Sequence, residues 1–97
     1  MTLDDAIRQL NSLDENLVLC ARKPWLPSSE CVATPPSADL GVPRQVKEAG
    51  LDYFLEVDVA REVLGALGAR PVSHEDNVKL LIHYAEHDAY PDWVYGS

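Results

Sequence analysis

The sequence is poor in the features that usually announce chemistry. Its five glycines are scattered singly, so no Gly-rich loop can cradle a phosphate. No serine sits in a Gly-x-Ser-x-Gly elbow. Two cysteines, Cys20 and Cys31, are too few for the disulfide framework of a small secreted domain. Neither belongs to a Cys-x-x-Cys pair, which gives no support to a redox or zinc-knuckle role. Reduced, buried thiols are the expectation, unless strands at 16–22 and 30–34 form a hairpin that sets the two cysteines opposite each other. No apolar run approaches the ~18 residues of a membrane span. The opening MTLDDAIRQL is acidic and amphipathic, unlike a secretory signal.

Positive charge is the scarcest feature. Eight Lys and Arg face sixteen Asp and Glu, a formal net charge of -8. Such a field repels phosphate backbones and anionic lipid, so neither nucleic acid nor membrane is an expected partner. It attracts basic protein surfaces and speeds encounter with them. The surplus lies mainly in the second half: no Lys or Arg follows Lys79, while Glu86, Asp88 and Asp92 do. Solubility alone also accounts for an acidic composition.

What is present is ordinary for a folded domain: 97 residues, 46% hydrophobic and 25% charged. One domain spanning 1–97 is expected, in the cytoplasm, as a monomer or small homo-oligomer. Thr2 and Asp5 read as a capping box opening a helix with Leu3, Ile7 and Leu10 on one face. Asn16–Arg22 and Glu30–Thr34 read as strands around the loop Lys23–Ser29, which two prolines fix. Arg44–Ala49 reads as a helical turn stopped by Gly50. Leu51–Val57 alternates as a strand, with Leu51, Tyr53, Leu55 and Val57 on one face and Phe54 on the other, which suggests that the second face is partly covered too. Asp58 is expected to cap a helix burying Val59, Val63, Ala66 and Leu67, with Gly68 as its stop. Ser73 and Asp76 read as a further capping box. From there Val78, Leu81, Ile82 and Ala85 keep helical spacing, although Val78, Leu80, Ile82 and Tyr84 also alternate as a strand; length and the cap favour helix. The fold class expected is α+β, a small antiparallel sheet of about three strands packed against about three helices on one face.

Two stretches could carry function. His83-Tyr84-Ala85-Glu86-His87 matches the inverted zinc-protease string His-x-x-Glu-His, with both histidines one helical turn apart and Glu86 as the general base. A catalytic zinc needs a third protein ligand, and the ten residues after His87 leave little room for one. No catalytic residue, cofactor or resident metal is therefore expected, and a solvated helix end is the preferred account of the string. Glu86–Trp93 mixes three carboxylates with Tyr90 and Trp93, the residue types that steer and anchor a basic partner. Glu86, Asp88, Tyr90, Asp92 and Trp93 are the candidate partner-binding residues; the competing reading is that Tyr90 and Trp93 close the core over the last helix. Trp25, on the proline-fixed loop, has the same two readings.

The strings YFLEVDVAREVL (Tyr53–Leu64) and IHYAEHDAYPDW (Ile82–Trp93) resemble a family of small, uncharacterised acidic bacterial proteins, in which a YFLEV-type strand runs into a helix and a YAE-x-DAYP segment closes the chain. The size and acidity of that family are similar to those of immunity proteins that neutralise bacterial toxins. The resemblance implies a non-enzymatic inhibitor of a basic toxin such as a nuclease. A metal-dependent hydrolase built on His83, Glu86 and His87, and a self-associating structural or regulatory module, are the alternatives.

Overall fold

A computed structural model describes residues 1–36, 42–66 and 72–91. The chain runs α1 (Leu3–Arg8), a 3-10 turn (Leu10–Ser12), β1 (Val18–Ala21), β2 (Cys31–Thr34), α2 (Arg44–Glu48), β3 (Asp52–Glu56), α3 (Val57–Gly65) and α4 (His74–His87). The strands form one antiparallel sheet in the order β2-β1-β3. This is the small α+β fold that the patterning predicts.

Local signals set the helix starts. Thr2 accepts from the Asp5 amide while the Asp5 carboxylate accepts from the Thr2 amide, both at 3.1 Å. The two halves of the box thus satisfy amides that the first turn leaves without helical partners. Ser73 accepts from the Asp76 amide at 3.1 Å and opens α4. The segment 74–87 is helix, not strand. The expected cap at Asp58 is not used. Helix α3 begins at Val57 directly off β3, its N-cap is Glu56 without a side-chain bond, and Asp58 lies in the first turn. There it still favours the positive end of the helix dipole. The earlier start moves the buried stripe to Val57, Ala60 and Val63; Val59 is half-buried and Ala66 exposed. Leu67 and Gly68 lie outside the described residues.

The sheet is covered on both faces, not one. Leu19, Ala21 and Cys31 face the main core with α1, α3 and α4. Val18, Cys20 and Leu51 form a smaller core under Val42 and Val46 of the α2 region. Being central and covered twice, β1 is buried along its whole length, as its unbroken apolar run requires. Helix α2 is seated by its C-terminus. The Leu51 amide reaches the Val46 carbonyl at 3.3 Å and the Gly50 amide that of Lys47 at 2.9 Å, with Gly50 at φ +84°. This is a Schellman closure, and its apolar pair is Leu51 with Val46.

Strand β3 departs from strict alternation. Leu19 pairs with Leu55 but Cys20 pairs with Tyr53, so Phe54 is the extra residue of a bulge. Both Phe54 and Leu55 are buried in the main core, at 1% and 5% exposure, while Tyr53 is 41% exposed. The alternation thus misplaces Tyr53 and Phe54, because a bulge shifts the phase of the strand without any mark in its composition. Register also separates the cysteines: Cys31 pairs with Ala21, and Cys20 with Val32. One residue out of register, the two thiols lie in different cores and are free.

Candidate functional site

Two loop prolines and α4 build the most structured surface feature. The loop 23–29 is tied internally by Ser29, whose hydroxyl donates to the Pro24 carbonyl at 2.9 Å and accepts from the Leu26 amide at 2.8 Å. It is tied externally to α1, whose first amides, Leu3 and Asp4, donate to the carbonyls of Ser29 and Pro27 at 2.8 and 2.9 Å. A loop stitched at both levels presents its side chains in fixed positions. Trp25 stands edge-on to Phe54 with ring centroids 5.0 Å apart, and its indole N–H donates to the Ala21 carbonyl at 3.1 Å. The Lys23 ammonium lies 5.0 Å from the centre of the Trp25 ring. Leu26 projects outward at 53% exposure.

The C-terminal half of α4 faces this loop. One groove of about 530 Å³ is lined by Lys23, Pro24, Trp25, Leu26, Ala85 and Glu86. A neighbouring one of about 310 Å³ shares Trp25, Leu26 and Glu86 and adds Pro27, Lys79, Ile82, His83 and His87. The sequence reading joins Glu86 to the acidic stretch after it; the fold joins it to a loop some sixty residues earlier. The signal available in sequence was Lys-Pro-Trp-Leu-Pro-Ser, a large aromatic and an apolar residue held between prolines.

The other expected partner-binding residues part company. Asp88 is exposed and carries the left-handed C-cap of α4, at φ 53°, its amide donating to the Tyr84 carbonyl at 2.7 Å. Tyr90 packs against the main core, with its ring 5.3 Å from that of Tyr84. It therefore has a core-closing role, whatever else it does. Asp92 and Trp93 lie outside the described residues. The acidic surplus divides as well. Glu75 and Asp76 open α4, whereas Glu86 and Asp88 lie near its other end. A helix of that length holds such groups about 17 Å apart.

Among the described residues of the second half, Asp52, Glu56, Asp58, Glu62, Glu75, Asp76, Glu86 and Asp88 are all exposed. Only Glu75 has an ion pair there, with Lys79 at 3.5 Å. Arg61 is not spent on a carboxylate. Its guanidinium donates to the Leu10 carbonyl at 3.0 and 3.2 Å and also to that of Leu13.

His83 and His87 do lie side by side, with ring centroids 4.5 Å apart. No group of three or more His, Cys, Asp and Glu side chains that could hold a metal ion occurs among the described residues. The three-ligand set of a catalytic zinc is therefore not assembled there. A third pocket, of about 560 Å³ between α1, α3 and α4, contains Arg8, Arg61 and His74, but each is already engaged. Arg8 and His74 both hold Asp4, at 3.1 and 2.8 Å. Those bonds, His74 first and Arg8 second, lower the Asp4 carboxyl below its ordinary value.

No protein-family model matches the chain, and no curated protein or solved structure is detectably similar to it. No helix among the described residues is long and apolar enough to cross a membrane.

Proposed function

We propose that this chain is a non-enzymatic binding protein for a basic protein partner, an immunity-type inhibitor of a cytoplasm-acting bacterial toxin such as a nuclease. The observation that carries the reading is the position of Glu86. It borders a groove whose apolar part is Trp25 and Leu26 and whose other charged residue is Lys23, and like six other exposed carboxylates of the second half it has no cation within ion-pairing distance among the described residues. An aromatic and aliphatic anchor with one unpaired carboxylate at its edge suits an apolar knob beside a Lys or Arg of the partner. Unpaired surface carboxylates add attraction at long range, which acts chiefly on the association rate.

The test is capture of partners from the source lysate by the wild-type chain and by a Trp25→Ala/Glu86→Gln variant, at about 50 mM and about 500 mM salt, where screening shortens the reach of charge severalfold. The reading expects a basic protein held by the wild type at low salt, released at high salt and lost with the variant. Capture indifferent to both salt and the double substitution would sink it. Because Trp25 also packs on Phe54, circular dichroism of the variant must first show an intact fold.

A further inference from the structure

We infer that His83 and His87 form a chelating site for one exchangeable divalent transition-metal ion of the nickel, copper and zinc group. This inference is independent of the partner-binding proposal. The two residues stand at i and i+4 on α4, so their side chains share one face of the helix. The rings already meet, with centroids 4.5 Å apart and planes inclined at 45°. That inclination is neither a parallel stack nor an edge-to-face pair. Metal–imidazole bonds of about 2.0–2.1 Å put a ring centroid about 3.2 Å from the ion, so two rings bound at right angles have centroids about 4.5 Å apart. The observed separation matches that of two imidazoles in adjacent positions of a square-planar or octahedral ion, as nickel and copper adopt, and a tetrahedral ion needs the rings to open by under 1 Å, to about 5.2 Å.

Three further features point the same way. Neither ring has a hydrogen-bond partner among the described residues, so no protein group competes there for the ring nitrogens. The pair occupies the last two turns of α4, where the helix dipole favours a cation. Glu86 and Asp88 add negative charge close by. Imidazole donors select the later transition metals over calcium and magnesium, which prefer oxygen. Since no third side-chain ligand joins the pair among the described residues, solvent completes the coordination shell and the ion exchanges freely.

The third histidine provides the control. His74 opens α4 and its Nε2 is held by the Asp4 carboxylate at 2.8 Å. The experiment is calorimetric titration of the full chain with NiCl2 at pH 7.5, on the wild type and on His74→Ala, His83→Ala and His87→Ala. Expected is one Ni²⁺ per wild-type chain, unchanged in His74→Ala. Losing either member of a chelate removes the intramolecular second contact, so His83→Ala and His87→Ala should each weaken binding on the order of a hundredfold. Alanine is the best helix former, so α4 should tolerate both changes, and far-ultraviolet circular dichroism checks this. Absence of saturable binding by the wild type would overturn the inference. So would binding that survives in either His83→Ala or His87→Ala, which would indicate a single-histidine or remote site.

Discussion

Arg61 reaches from α3 to the Leu10 and Leu13 carbonyls and closes the end of the 3-10 turn that follows α1. A charged donor shared by two part-buried carbonyls is worth about 2 kcal/mol, so Arg61→Ala should lower unfolding stability by that order. Arg61→Lys should recover only part of it, because an ammonium cannot span the two acceptors as the planar fork does. Urea denaturation of the three proteins checks both statements. Nothing in the sequence foretold this contact, since its ends lie about fifty residues apart and its acceptors are backbone. Cys31 gives a second residue-level test. Burial pushes its thiol from 9.0 up to about 12, with the neighbouring Cys20 adding to the rise. Burial also raises Cys20 and Tyr53. Between those two values the unfolded chain has released the Cys31 proton and the folded chain has kept it. Stability is therefore lost as pH rises above about 9, and unfolding midpoints measured from pH 8 to 11 should fall. The decline should be shallower in Cys31→Ala, even though that variant starts lower for want of packing.

Elements whose limits are written locally were legible in advance. Thr2 with Asp5, Ser73 with Asp76 and Gly50 after α2 each act within a few residues as the sequence indicates, except that at Ser73 only the hydroxyl half of the expected box is made. The bulge at Phe54 was not legible, because it depends on which β1 residue faces which β3 residue. The second cover of the sheet was read only in part and from the wrong residue: Phe54 suggested it but lies in the main core, and the actual cover is a five-residue helix that looks like a turn until Val46 is seen packed against the cluster of Val18, Cys20 and Leu51. Two element-scale outcomes follow. Gly50→Ala forces an L-residue into φ +84° and brings its Cβ within 2.6 Å of the Arg22 guanidinium. A loss of about 1–2 kcal/mol is expected from the backbone alone, read by thermal unfolding. Asp88 holds a left-handed cap at the negative end of α4, where its charge is unfavourable. Asp88→Asn should keep the cap, remove the charge and raise the melting temperature by a few degrees, corresponding to about 0.5–1 kcal/mol.

For the molecule as a whole, the sign of the charge was readable from composition and its distribution was not. The exposed carboxylates are spread over β3, α3 and both ends of α4, while the groove that takes Glu86 depends on a loop from the first half. If such a dispersed field steers a basic partner, raising salt from about 50 to 500 mM should slow association and change dissociation little. Stopped-flow binding with the partner in hand measures the two rates separately. The off-register cysteines have a practical consequence for studying folding. Each of the two hydrophobic layers contains its own sulfhydryl, so alkylation followed by peptide mass spectrometry can time the breathing of either layer without introducing a probe. The thin layer beneath α2 should admit reagent to Cys20 well before the thicker one yields Cys31.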